Sequence, residues 1–177
     1  MWTSLLAAVG LLGSGIQAGA LLMVLYGVCP SFRQMPVPEW MRLHVSLDRS
    51  IEQYMPAINL STGGATLVLL FFAQQPEVRL LRALALVCNV ALALMSELVN
   101  VRINKSIARR VAAFAAPVLV GGPSGSSGPG MSAEIGDSEH GRLVAARERW
   151  IHWHQWRTLD IVLGFGLSIA AVLIAGH

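Results

Sequence analysis

The stretch MWTSLLAAVGLLGSGIQAGALLMVLYGVCPSF, residues 1–32, contains no Asp, Glu, Lys or Arg. Roughly 20 consecutive apolar residues cross the hydrocarbon core of a bilayer as a helix, so this stretch predicts a span over residues 4–28. Working outward, residues 53–76 are again free of charge, residues 80–101 carry only Arg82 and Glu97, and residues 161–176 are uninterrupted. Further spans are predicted over 53–75, 80–101 and 157–176. The chain is 54% hydrophobic and only 13% charged, against about 25% charged in soluble domains, and its mean hydropathy is +0.58. The expected fold is all-α: a polytopic membrane four-helix bundle with cytoplasmic extensions of the helices, forming a single membrane domain over 1–177.

The small residues Ala18, Gly19 and Ala20 resemble a signal-peptide cleavage site, but no basic residue precedes the apolar run, so it is read as a mature span. Gly15 and Gly19, four apart, would permit a close helix approach. Cys29 and Cys88 are expected at different depths, which disfavours a disulfide. The formal charge of +3 reads as orientation and not as nucleic-acid binding. With four spans, the 29–52 and 102–157 connections share one face, and eleven of the thirteen basic residues lie there, only Arg79 and Arg82 falling on the other. The positive-inside rule puts that face in the cytoplasm of an inner (plasma) membrane protein and both termini outside. Residues 111–120 are too short to span. The run GGPSGSSGPG at 121–130 contains only Gly, Pro and Ser and predicts a flexible segment over 121–138, with His140 also in that loop.

Polar residues beside apolar spans carry the functional signal, because a membrane tolerates them only where they face a partner or a cavity. Ahead of the second span, His44, Asp48, Met55 and Asn59 recur at spacings of four, seven and four, and Pro56 is expected to kink this helix or begin a new one. In the third span Asn89, Ser96, Asn100 and Asn104 form a polar stripe. Interhelical hydrogen bonding is its plainer explanation for Asn89 and Ser96. Glu97 stands one position round from the stripe, about a turn inside the span, and must be protonated, paired or metal-bound. The segment RERWIHWHQWRTLD at 147–160 leads into the fourth span. Helical spacing puts His154 with Trp150, Ile151, Thr158 and Ile161, and His152 with Glu148, Arg149 and Gln155. An interfacial aromatic belt accounts for Trp153 and Trp156. Antiparallel neighbours would bring His44, Asp48, Asn100, Asn104, His154 and Arg157 to one end of the bundle.

The patterns His44-x-x-x-Asp48, Leu98-Val99 with Asn104, and Trp153-His154-x-x-Arg157-Thr158 together resemble the anthrone oxygenase-like family of small membrane proteins. The resemblance covers most of the chain outside the Gly/Ser/Pro run. It implies a membrane-embedded oxygenase that oxidises an apolar aromatic of anthrone type, with O2 as co-substrate and no cofactor required. In that reading His154 or His44 is the general base. Asn104 and Arg157 stabilise the developing oxyanion and Asp48 orients a histidine. Asn100, Trp150, Trp153, Met55 and Asn59 contact the planar substrate.

Two alternatives stay open on the residues. His44, Asp48, Glu97 and His154 could bind iron or copper as a histidine and carboxylate set, although no tight ligand motif is present and inward histidines are too few to favour haem. A non-enzymatic membrane subunit, associating with itself or a larger complex, is the other.

Overall fold

The computed structural model describes residues 1–72, 75–115 and 136–176. Helix α1 covers Trp2–Met23 and runs through a π-helical turn at Val24–Val28 into α2, Cys29–Gln34. The short helix α3 spans Val37–Glu52, α4 Met55–Phe72 and α5 Pro76–Met95. A second π-helical turn, Ser96–Asn100, joins α5 to α6, Val101–Ala115, and α7 is a single helix of 39 residues, Asp137–Ala175. Prolines explain several boundaries. Pro38, Pro56 and Pro76 each stand in a first turn, where a missing N–H costs nothing. Pro30 lies just after the first π-turn, and its ring forbids a regular ladder to the carbonyl four residues back.

Four continuous helical rods, Trp2–Gln34, Met55–Phe72, Pro76–Ala113 and Asp137–Ala175, are long and apolar enough to cross a membrane. The protein is a multi-pass, all-α membrane bundle. The helix that carries the fourth span begins at Asp137, so residues 137 and 138, expected in a flexible segment, are helical, and His140 is exposed on α7 and not in a loop. The remainder of that segment, 121–135, lies outside the described residues, as do 116–120 of the short apolar stretch and His177.

The spans form a ring in which α1 packs on α4 and α7, and α5 packs on the same two. One end is closed by Trp2 edge-on to Phe72 at 4.4 Å and by Val78 against Ala171. Close approach rests on glycines that the sequence pattern did not single out. A Cβ on Gly13 would meet Thr62 Oγ1 at 2.0 Å, and one on Gly164 would meet Cys88 Cβ at 2.9 Å. The Gly15 and Gly19 pair is not a helix-contact motif: Gly15 faces the Phe165 ring and Gly19 faces open space. Midway along the bundle, Asn59 Nδ2 donates to Gln17 Oε1 at 3.0 Å and to Asn89 Oδ1 at 3.2 Å, and Gln17 Nε2 reaches Thr62 Oγ1 at 3.3 Å. These bonds tie α1, α4 and α5 where no water can satisfy an amide.

The opposite end is capped by a second core built from α2, α3, α6 and the first half of α7. Cys29, Phe32, Trp40, Met41, Ile107, Leu143, Trp150 and Ile151 are buried there. Arg147, also buried, donates from Nη1 to the carbonyls of Phe32 and Met35, both at 2.8 Å, and lies over the Trp40 ring. The Arg33–Glu148 pair at 3.0 Å and the Arg110–Glu139 pair bind α7 to α2 and α6.

The glycine contacts give a direct test by thermal unfolding in detergent. Gly164→Ala is expected to destabilise the protein by about 1–3 kcal/mol, since the new methyl would stand 2.9 Å from Cys88 Cβ, which must shift. Gly19→Ala is expected to be neutral or slightly stabilising.

Candidate functional site

The capped end concentrates the ionisable chemistry. On α3 the apolar face turns Trp40, Met41 and His44 inward, and α6 packs against it. His44, only 3% exposed, meets Asn104 Oδ1 through Nε2 at 3.0 Å. Because that oxygen can only accept, Nε2 carries the proton. Asn104 Nδ2 in turn donates to Asp48 Oδ1 at 2.5 Å. One amide therefore bridges a carboxylate and an imidazole. Burial pushes the His44 pKa down, against the opposing pull of the Asn104 bond, so the ring is neutral near pH 7. Burial first, and repulsion from Glu52 second, raise Asp48 to about 6, opposed by Arg157 and by the Asn104 bond.

Trp150 links the two histidines. It stands edge-on to His44 at 4.9 Å between ring centroids and stacks on His154 at 5.2 Å with an interplanar angle of 18°. His154 lies one turn further along α7, is 3% exposed, and its Nε2 reaches the main-chain carbonyl of Leu21 at 3.0 Å. A carbonyl accepts, so Nε2 again holds the proton, and Nδ1 is left as a buried lone pair without a hydrogen-bond partner. Asn100, the last residue of the second π-turn, is 2% exposed, and neither Nδ2 nor Oδ1 has a partner. Buried polar atoms left unsatisfied cost about 1–3 kcal/mol each and are rare in native proteins. Arg157 Nε is also buried and unpartnered. Both π-turns lie at this end of the spans, and such turns recur at functional sites.

The structure brings His44, Asp48, Asn104, Trp150 and His154 together, with Arg157 within electrostatic range of Asp48 and Asn100 one turn from Asn104. Other expected members lie elsewhere. Glu97 is exposed on the outer surface, one position round from the stripe that buries Asn100. The chain breaks at Gln53–Tyr54, so Met55 and Asn59 belong to α4 and not to the face of His44. Asn59 is committed to the mid-bundle amide network. Trp153 is half-buried on the outer side of α7, where it lines a lateral groove.

The candidate metal set His44, Asp48, Glu97 and His154 does not converge. Glu97 points away, His44 and Asp48 are engaged by Asn104, and among the described residues no group of three or more His, Cys, Asp or Glu side chains is placed to hold a metal ion. Sequence reasoning missed Phe32 and Trp40, whose rings flank His44 at 6.1 and 5.7 Å, and it missed the Leu21 carbonyl, which no side-chain pattern can reveal.

The raised pKa of Asp48 has a definite sign in stability. The folded protein holds a proton that the unfolded chain releases above about pH 3.8, so this contribution is full below that pH and is lost as pH rises through about 6. Asp48→Asn should flatten the decline in stability over that window. At pH 7 it should stabilise the protein by about 1 kcal/mol, a figure reduced for the half-exposed carboxyl. Melting temperatures of both proteins from pH 4 to 7 (roughly the titration range) measure it.

The family model for anthrone oxygenase matches residues 40–167, from Trp40 in α3 to Leu167 in α7, which takes in His44, Asp48, Asn100, Asn104, Trp150, His154 and Arg157. Among curated proteins and among solved structures nothing matches. A match over nearly three quarters of the chain, on the helices that build the capped end, means that this protein belongs to the anthrone oxygenase family.

Proposed function

We propose that the protein is a membrane oxygenase that converts an anthrone-type methylene to a quinone carbonyl with O2, with His154 as general base. The observation that carries this reading is the buried, unpartnered Nδ1 of His154, held in one tautomer by the Leu21 carbonyl. A methylene flanked by two aryl rings and conjugated to a carbonyl is acidic enough for a neutral imidazole to deprotonate within a water-poor site. The enolate transfers an electron to O2 and the radicals combine into a C–O bond, giving a peroxide. Loss of the second methylene proton with O–O cleavage then yields the quinone and one water. The methylene loses four electrons, and O2 supplies one oxygen to the ring and one to water, so the sequence balances without a further reductant.

Asn100, with its whole amide unsatisfied, is suited to the anthrone carbonyl oxygen as negative charge develops there. Arg157 adds a positive field. Trp150 offers a flat face stacked on the base itself. The Asp48–Asn104–His44 chain supports the cap side of the site and positions Trp150 through the His44 ring. The capped, arginine-rich end faces the cytoplasm of the inner membrane, following the positive-inside rule.

Oxygen uptake and quinone formation from 1,8-dihydroxyanthrone, corrected for its spontaneous oxidation, test the proposal. His154→Ala is expected to lower kcat by about a hundred- to ten-thousand-fold while remaining folded. Asn100→Leu is expected to lower kcat with little effect on stability or with a gain, because it removes unsatisfied groups. Activity is expected to survive exhaustive chelation. A wild-type rate in His154→Ala would sink the mechanism.

A further inference from the structure

A strip of cations stands on the outer surface where the third span leaves the membrane. The exposed side chains of that rod include Val87, Val90, Leu94 and Leu98, and then Arg102, Lys105 and Arg109, with Glu97 at the changeover. Helix α6 carries Arg102, Lys105, Arg109 and Arg110 and no acid. Arg110 is paired with Glu139 of α7, as Arg33 is with Glu148, and Arg147 is engaged by main-chain carbonyls. Helix α3 adds to the same side. It runs toward the membrane into α4, whereas α6 runs away from it out of α5, so the two are antiparallel. The hydrogen bonds of His44 and Asp48 to the Asn104 amide set their register. On antiparallel neighbours the residue that follows each contact position turns to the same side of the pair. Arg49 follows Asp48 and Lys105 follows Asn104, and both are exposed. Arg42, two turns before Arg49, is exposed on the same stripe, while Glu39 and Glu52 lie in the first and last turns of α3.

We propose that this face of α3 and α6 binds an anionic phospholipid, with the headgroup phosphate at Arg49 and Lys105 and an acyl chain along the exposed apolar side chains of α5. Clusters of Lys and Arg directly beyond a span attract anionic headgroups in this way. The apolar stripe selects the occupant. An amphiphile uses both that stripe and the cations next to it, whereas an acidic protein or a nucleic acid has no use for the apolar part. The height agrees as well. Arg102 and Lys105 stand about 6 and 10 Å beyond Leu98 along the helix axis, within reach of the headgroup layer for side chains this long. Tyr54, exposed at the break between α3 and α4, has the place of an interfacial tyrosine. Arg42 and Arg109 lie further out and add a field that decays over about 8–10 Å at moderate ionic strength. The inference concerns how the protein is held in its bilayer and is independent of the oxygenase reading.

Native mass spectrometry of the full chain in detergent, mixed with equal amounts of dioleoylphosphatidylglycerol and dioleoylphosphatidylcholine, compares the two adducts directly. The acyl chains are identical, so the headgroup alone decides. Wild type is expected to favour phosphatidylglycerol by about tenfold or more, the scale of two cations acting on one phosphate. Arg49→Gln combined with Lys105→Gln is expected to lose most of that preference, and Arg102→Gln combined with Arg109→Gln to lose part of it. Arg49→Lys combined with Lys105→Arg keeps both charges and is expected to retain the preference. Arg142→Gln combined with Arg149→Gln removes the same charge from exposed positions of α7 and is expected to change nothing. Melting temperatures without added lipid are expected to match wild type, because exposed substitutions of this kind cost little. Excess inorganic phosphate is expected to leave the lipid in place, since the micelle holds it at high effective concentration. The inference is overturned by a wild type without preference, by a preference unchanged in the Arg49 and Lys105 glutamine variant, by an equal loss in the α7 variant, or by displacement with inorganic phosphate.

Discussion

One hydrogen bond, from the His154 imidazole to the Leu21 carbonyl, stands where the two halves of this molecule meet. Below it the bundle is a membrane structure, and above it the chain folds into a cap with a densely buried core of its own. The bond fixes α7 to α1 at that boundary. It also selects the tautomer of a histidine that sits deep enough for water to be scarce. Removing water raises the cost of every unsatisfied polar atom, so the orientation of each remaining group at this level is set by its neighbours. The structural bond and the chemical consequence, a free lone pair on Nδ1, are one fact.

The two halves reach stability by different means. Among the spans, burial against lipid gives no hydrophobic advantage over burial against protein, so association depends on close packing and polar bonds. Gly13 against Thr62, Gly164 against Cys88, and the Gln17–Asn59–Asn89 amides are those contacts. The cap uses the means of a water-soluble protein: Trp40 and Met41 are wholly buried, and an arginine satisfies the open carbonyls at the end of α2. The site proposed at the junction would draw on both.

The fold was legible because four charge-free runs of span length admit few other structures, and antiparallel threading then fixes which polar residues share an end. His44, Asp48, Asn104 and His154 were found this way, and helical spacing correctly separated buried His154 from exposed His152. The failures lie where side-chain spacing alone does not decide which neighbour a residue meets. Asn100 is buried as its place in the stripe predicts, whereas Glu97, one position round from that stripe, is exposed. The break at Gln53–Tyr54 detaches Met55 and Asn59 from the face of His44. Gly15 and Gly19 have the spacing of a packing motif but lack a partner helix at Gly19, and only the three-dimensional arrangement supplies that information.

The contrast between the two buried histidines gives the site its direction. Both are neutral donors through Nε2, yet they face different acceptors. His44 donates to a side-chain amide whose other end is tied to a carboxylate with a pKa near 6, so its surroundings can change with the protonation of Asp48. His154 donates to a main-chain carbonyl, which does not titrate. Under the proposed mechanism, a base that must present the same lone pair at every turnover is better anchored to backbone, whereas an imidazole that only holds the shared tryptophan in place can accept a variable partner. That mechanism would then put the chemistry on the span side of Trp150 and the pH sensitivity on its cap side, with the indole in contact with both rings.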